Sequence, residues 1–182
     1  MGHTLPLTID NGHGEVILFK EVVHEAGGDR LLLEGRVQPG AGPVMHVHYK
    51  QDEHFRVVRG TMAYQTLGQP TQYLTAGQSA TFLRKQPHKF WNNGDDELVL
   101  DCWIKPANNA VFYLSTLYEA TNGRKTPAPE PFVGAFLIRR YAGEYGLLEL
   151  PAFVRTVIIP ITYAVGRLLG KYRRFADAPA TV

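Results

Sequence analysis

The chain has 182 residues, of which 45% are hydrophobic, so it can form one domain with a real core, or one domain and an appendage. The formal net charge of +2 is too small to indicate a nucleic-acid partner, and we expect none. A single cysteine, Cys102, excludes an internal disulfide framework, and the first residues lack the pattern of a secretory signal, so we expect a cytoplasmic protein.

Short runs rich in β-branched and aromatic residues fill the first 105 residues of the chain. Turn signals such as AGGD, GQP, TAGQ and NNGDD separate these runs. Many short strands at near-regular spacing predict a mainly β protein with a sandwich or barrel architecture. The predicted strands are 16–20, 31–37, 54–58, 61–67, 71–74, 79–83 and 98–104.

The pattern changes after Pro106, where helical periodicity begins. Residues 110–121 (AVFYLSTLYEAT) predict a helix with Asn108 or Asn109 as its N-cap and Gly123 at its C-terminal end. The sequence therefore predicts two parts, a β domain over residues 1–106 and a helical C-terminal extension over residues 107–182.

Within the extension, a proline-rich linker at residues 126–131 (TPAPEP) precedes two further predicted helices. The first covers residues 132–142, and the second covers residues 151–175. Because proline lacks a backbone N–H, we expect the second helix to bend or break at Pro160.

Three histidines and one glutamate form a candidate metal site. Alternate residues of a strand face the same side, so His46 and His48 would project together. Glu53 follows a short connection and could return on a neighbouring strand, and His88 could arrive from a later one. Three imidazoles and one carboxylate suit one divalent transition metal ion (Fe, Mn, Ni, Cu or Zn) and leave positions open for chemistry. The alternative is an exposed His-x-His pair that binds no metal.

The spacing of these residues resembles the motifs of the cupin superfamily. Gly40, His46, His48, Glu53 and Gly60 match its first motif at every fixed position. The second motif is weaker: Gly77, His88 and Asn92 match it, whereas Leu83 and Lys85 stand where the family has proline and glycine. The resemblance covers residues 15–105 and indicates a single domain similar to the type-2 cupins.

The resemblance implies a jelly-roll β-barrel with a metal ion inside its mouth, here followed by the C-terminal helical extension. His46, His48, Glu53 and His88 match the family's metal ligands residue by residue. Barrels of this family often pair through exposed sheet, so a homodimer is expected.

Four aromatic residues are candidates for substrate contacts in the barrel interior, with simple core filling as the alternative. They are Phe55, Tyr64, Phe90 and Trp103. The sequence identifies no catalytic residue beyond the metal ligands.

Two classes of function fit these observations. The first is a metal-dependent enzyme that acts on a small organic molecule, and family analogy favours dioxygenase-like chemistry. The second is a non-enzymatic module that binds or senses a small ligand. No helix-turn-helix is evident beside the barrel, which argues against a DNA-binding regulator.

The extension is basic and apolar. Residues 139–174 hold seven basic and two acidic residues, and an uncharged run of eleven lies between Arg155 and Arg167. That run is too short to span a bilayer, which needs about 20 residues. A helix of this kind can lie on an anionic membrane surface. We favour the alternative, in which its apolar side packs against the barrel or a second subunit.

Overall fold

The computed structural model describes residues 4–182, and two antiparallel sheets make up most of their N-terminal part. The strands are β1 Leu7–Asp10, β2 Glu15–Val23, β3 Arg30–Val37, β4 His46–His48, β5 Asp52–Arg59, β6 Thr61–Thr66, β7 Gln72–Thr75, β8 Ser79–Phe82, β9 His88–Asn92, β10 Leu98–Lys105 and β11 Tyr145–Leu147. The six-stranded sheet has the order β1-β2-β3-β10-β5-β8, and the five-stranded sheet has the order β11-β4-β9-β6-β7. All seven predicted strands are confirmed, and the mainly β class is correct.

The hydrophobic core lies between the two sheets, because alternate residues of each strand point inward. In β10, Leu98, Leu100, Cys102 and Ile104 are buried, and the residues between them are only half-buried. From β5, Phe55 and Val57 join them on the same inner face. The thiol of Cys102 is buried in this core and forms no disulfide.

The first helix, α1, spans Ala110–Thr121 and confirms the prediction residue for residue. Asn109 precedes it but makes no side-chain cap; its amide bonds elsewhere, as described below. Gly123 follows the helix with φ +75°, a conformation that glycine adopts without steric cost.

The second helix, α2, spans Pro131–Arg140 and packs against α1. Pro131 occupies the first turn, where its missing N–H costs nothing, and the Glu130 carboxylate accepts a hydrogen bond from the Val133 N–H at 2.9 Å. Phe136 and Leu137 are buried between the helices. The apolar side of α2 thus packs on the other helices, and packing of the basic segment against the barrel or a second subunit stays a prediction.

The third helix, α3, spans Ile159–Leu168 and directly follows a π-helical turn at Val154–Ile158. The predicted break at Pro160 is absent, since α3 continues through that residue after the π-helical turn, and α3 ends at Leu168 rather than at residue 175. The turn is wider than an α-helical one: the Ile159 N–H bonds to the Val154 carbonyl, five residues back. Across residues 4–182, no helix combines the length and apolar character that crossing a membrane requires.

Candidate metal centre

The two histidines of β4 face the barrel interior together. β4 lies between β9 and β11 in the five-stranded sheet, and His46 pairs directly with His88 of β9. The ring centroids of these two imidazoles are 4.5 Å apart, and those of His46 and His48 are 5.1 Å apart. The antiparallel register of β4 and β9 thus brings three imidazoles to one place.

Glu53 reaches the same place from the opposite sheet. It lies on β5, and its Oε2 atom is 3.0 Å from His88 Nε2, 3.6 Å from His48 Nε2 and 3.9 Å from His46 Nε2. One ligand atom from each of the four residues lies within 4.8 Å of all the others. The structure therefore brings the four predicted residues together into one cluster that joins both sheets.

Backbone carbonyls set the orientation of two imidazoles. His46 Nδ1 lies 2.8 Å from the Val44 carbonyl, and His88 Nδ1 lies 2.9 Å from the Gln86 carbonyl. A carbonyl oxygen can only accept, so each Nδ1 carries the proton and donates it. The Nε2 atoms point into the cluster, where His88 Nε2 lies within hydrogen-bond distance of Glu53 Oε2, and a bound metal ion would take the place of any proton on them. His88 is held further by stacking on the Phe82 ring, 4.1 Å away.

The electrostatics of the cluster also suit metal ligands. Burial raises the pKa of Glu53, but the three surrounding imidazoles outweigh it and hold that pKa well below its usual range. Burial lowers the pKa of His48 to about 4. For His46, burial lowers the pKa, but the adjacent Glu53 carboxylate outweighs burial and raises it. At neutral pH the carboxylate is ionised and His48 is neutral, which are the forms that bind metal.

The donor set fits one divalent transition metal ion. Three imidazoles and one carboxylate serve Fe, Mn, Ni, Cu and Zn, and they leave coordination positions open on a metal that takes five or six ligands. The single cysteine takes no part in the cluster. The cluster is therefore a candidate site for one metal ion whose identity the ligand types do not select.

A largely apolar cavity of about 330 Å³ adjoins the cluster. On one side the barrel supplies its wall, including Phe55, Phe90 and Leu100. On the other side the helical extension supplies it, including Leu117 of α1 and Leu137 of α2. The extension therefore covers the part of the barrel that holds the candidate ligands.

A small polar group lies in the wall of this apolar cavity. The Glu15 carboxylate accepts a hydrogen bond from Asn11 Nδ2 at 2.9 Å and one from the Tyr118 hydroxyl at 3.3 Å. Burial raises the pKa of Glu15, against the effect of these hydrogen bonds. Glu15 is therefore a second carboxylate in the cavity, beside the cluster of three histidines and Glu53. It was not predicted from the sequence, because nothing in the GHGEV segment marks Glu15 as a site residue.

Two of the four predicted substrate-contact residues line the cavity and two do not. Phe55 and Phe90 form part of its wall. Tyr64 packs on the Phe82 ring at 5.4 Å and donates its hydroxyl hydrogen bond to Gln72, away from the cavity.

Trp103 lies on the outer face of the six-stranded sheet, where it stacks on His54 at 5.2 Å. The placement of Tyr64 and Trp103 at the cavity is thus corrected. For Phe55 and Phe90, substrate contact stays a prediction.

Three tyrosines of the extension lie at the cavity, and sequence analysis did not identify them. Tyr145 of β11 pairs in register with His48, and its ring meets the His48 ring edge-on at 5.3 Å. Tyr113 stacks on Tyr145 at 4.0 Å, and Tyr118 reaches Glu15. Their positions in α1 and β11 carry no motif, so only the folded extension reveals them.

A buried polar network ties the extension to the connection between the ligands. Glu144 is fully buried and accepts a hydrogen bond from Asn109 Nδ2 at 2.8 Å. The Tyr145 hydroxyl donates to Asn109 Oδ1 at 3.0 Å and accepts from Gln51 Nε2 at 3.1 Å. Gln51 lies between His48 and Glu53 in sequence, and the neighbouring Tyr49 N–H donates to the Glu144 carbonyl at 2.8 Å. The predicted domain boundary at residue 106 stays a prediction, and these bonds cross it.

We expect Glu144→Ala to lower the free energy of unfolding by about 2 kcal/mol or more, because it leaves buried amide donors without an acceptor. Urea denaturation measures this effect. Glu149→Ala is the matched control: this glutamate is 47% exposed and forms a surface ion pair with Lys89 at 3.3 Å. Its loss should cost less than about 1 kcal/mol. Equal losses in the two variants would contradict a structural role for the network.

Several solved structures are similar to this chain, and one family model matches part of it. Structurally similar proteins include KdgF from Halomonas sp. (19% identity, 57% of this chain and 89% of that chain, TM-score 0.47). An RmlC-like cupin from Shewanella frigidimarina (19%, 59% and 89%, 0.48) and an oxalate oxidase (17%, 59% and 60%, 0.46) are also similar. No curated protein matches the chain. Residues 33–104 match the family model described as a cupin domain, and this match supports the resemblance of the barrel to the cupin superfamily.

Proposed function

We propose that this protein is a metal-dependent enzyme that acts on a small organic molecule, with dioxygenase-like oxidation as the favoured chemistry. One observation carries the proposal: the four candidate metal ligands adjoin a largely apolar cavity of about 330 Å³. A purely structural metal site needs no such cavity, whereas a catalytic site needs room for a substrate beside open coordination positions.

A transition metal ion held by these four residues supplies a Lewis-acidic or redox-active centre with open positions. The chain itself supplies orientation and a dry environment. Phe55, Phe90 and Leu100 line one side of the cavity with apolar surface, and residues of the extension line the other side. Exclusion of water strengthens the electrostatic interactions between the cluster and a bound molecule.

The cavity wall also indicates the class of substrate. An apolar cavity of about 150 Å³ holds one benzene ring, so the present cavity has room for a molecule of about two rings. The wall is mainly aliphatic and aromatic, and Glu15 with Tyr118 offers one polar contact. We therefore expect a largely apolar substrate that carries a hydroxyl or another hydrogen-bonding group.

The test is turnover that depends on the metal. Protein loaded in turn with Fe, Mn, Ni, Cu or Zn is mixed with a panel of small apolar alcohols, phenols and carboxylic acids in air-saturated buffer. Dioxygen consumption is recorded, and products are identified by mass spectrometry. We expect turnover with one metal, its loss after chelation and its return after reloading.

Two controls make the result specific. His88→Gln removes a candidate ligand and should abolish turnover, whereas His54→Ala changes a histidine on the outer face of the sheet and should not. Full turnover by the stripped protein would contradict the proposal. Tight binding of a panel compound without any turnover would favour the ligand-binding alternative.

A further inference from the structure

We propose that the exposed apolar side of the C-terminal helix docks onto an anionic lipid surface. Six large apolar side chains form this side, called the α3 face here. They are Phe153, Ile158, Ile161, Val165, Leu168 and Leu169. The proposal concerns a surface that takes no part in the cavity wall, so it stands or falls independently of the proposed enzyme.

The α3 face is a continuous stripe. Ile158, Ile161, Val165 and Leu168 follow one another at steps of three and four residues, which places them on one side of a helix. Leu168 is 87% exposed, Leu169 is 61% exposed and Ile161 is 58% exposed. Isolated exposed leucines are ordinary, but a clustered apolar stripe marks an interaction site.

The opposite side of the same helix is already packed. Ile159 and Gly166 are buried, and Gly166 lies against the rings of Tyr172 and Phe132. Tyr163 stacks on Tyr172 at 5.0 Å. The helix is therefore fixed to the protein by one side, which holds the α3 face outward without any need to unfold.

Basic residues adjoin the α3 face in sequence, and two of them lie over aromatic rings, Lys171 over Phe132 at 5.8 Å and Arg174 over Phe175 at 4.7 Å. Residues 150–176 contain five basic residues and no acidic one; the basic residues are Arg155, Arg167, Lys171, Arg173 and Arg174. Within residues 4–182, none of these five forms an ion pair with a carboxylate. A face that combines apolar side chains with unpaired positive charge matches an anionic bilayer, which offers negative headgroups above a hydrocarbon layer.

The same charge argues against a second copy as the occupant. A symmetric dimer presents the same surface patch on both subunits. Pairing two α3 faces would bring basic residues of both copies close together, and the nearest carboxylates in sequence are only the flanking Glu149 and Asp177. Like charges that meet across an interface are strongly unfavourable. Homodimer formation through exposed sheet, expected from the sequence, remains compatible with lipid binding.

The structure divides the helical extension into a packed part and an exposed part. Phe136 and Leu137 of α2 are buried, so α2 cannot contact lipid. The α3 face begins at Phe153, beyond the packed part. No helix in residues 4–182 suits a membrane crossing, so the helix would lie flat on the surface rather than span it.

The experiment is co-sedimentation of the full chain with vesicles of phosphatidylcholine alone or of phosphatidylcholine mixed with phosphatidylglycerol. We expect binding to the mixed vesicles at low salt and its loss at high salt, because salt screens charges at a surface. Arg167→Ala combined with Lys171→Ala should lower partitioning about fivefold for each charge removed. Leu168→Glu combined with Leu169→Glu should abolish binding.

Leu67→Glu is the matched control, because Leu67 is 59% exposed but lies on the barrel between β6 and β7. It should bind vesicles as well as the unaltered protein does. Thermal unfolding confirms that each variant is folded, and the basic-residue variant tests the proposal even if the glutamate variant fails to fold.

Three results would overturn the proposal. They are absence of binding to the mixed vesicles at low salt, equal binding by the variants of the α3 face, and a dimer in solution that the two glutamates dissociate. The last result, measured by light scattering without lipid, would assign the α3 face to a second copy instead.

Discussion

The His88→Ala variant is expected to bind its metal ion at least about 100-fold more weakly than the unaltered protein. Substituting residues that merely orient a metal ligand already lowers affinity by about 10–100-fold, so removing a ligand should exceed that range. His88 Nε2 lies 3.0 Å from Glu53 Oε2, at the centre of the cluster. Competition with a chelator of known affinity measures the effect.

A matched control comes from the residue next to Glu53. His54 lies on the same strand but on the outer face, where its Nδ1 is 2.8 Å from the Thr81 hydroxyl. His54→Ala should keep the full metal affinity. Equal affinities for the His88 and His54 variants would reject the ligand assignment. The His88 variant also loses its stacking on Phe82, so its folding is checked by circular dichroism.

Gly42→Ala is expected to lower the free energy of unfolding by about 3 kcal/mol or more, because the site has no space for a side chain. A Cβ atom there would collide with the Phe90 carbonyl and lie 2.7 Å from Trp91 Cα. Both are backbone atoms of β9, the strand that carries His88, and Gly42 itself lines the cavity. Relief of the clash therefore requires the 40–45 segment to move away from β9. Chemical denaturation measures the loss.

Gly27→Ala is the control that measures the cost of the left-handed backbone conformation without a steric clash. Gly27 has φ +80°, yet a Cβ atom there meets nothing within 4 Å. Its cost should be the left-handed conformation alone, about 1–2 kcal/mol. If the two variants unfold at the same denaturant concentration, the claim that close packing on β9 requires glycine at position 42 is wrong.

The barrel could be predicted from the sequence because its signals are local. Each strand shows its own β-branched and aromatic composition, and each turn shows its own glycine, asparagine or proline. The cluster of His46, His48, Glu53 and His88 could be predicted because strand alternation and motif spacing together determine which side chains meet. β1 and β11 were not predicted as strands, and β4 and β9 were anticipated only through their histidines.

The side of the sheet to which each aromatic residue points could be predicted only in part from strand alternation. Cys102 and Trp103 are adjacent in β10, so they cannot both point inward, and the buried residue is Cys102. Tyr64 faces the core, but it lies beyond Phe82 and away from the cavity. Its distance from the cavity depends on how the two sheets pack.

The covering of the site by the extension could not be predicted, because it depends on contacts between residues far apart in sequence. Glu144 reaches Asn109 across 35 positions, and Gln51 reaches Tyr145 across 94. Neither pair leaves a spacing pattern that a reader of the sequence could recognise. The apolar character of α1 and α2 predicts burial, but it does not say which surface buries them.

The most direct test of the central claim is elemental analysis of the purified protein beside a variant in which His46 and His48 are both replaced by alanine. If the cluster is a metal site, the protein carries about one transition-metal ion per chain, and the variant carries almost none while remaining folded. If neither protein holds metal after reconstitution with Fe, Mn, Ni, Cu and Zn, or if the variant holds as much as the parent, the cluster is not a metal site.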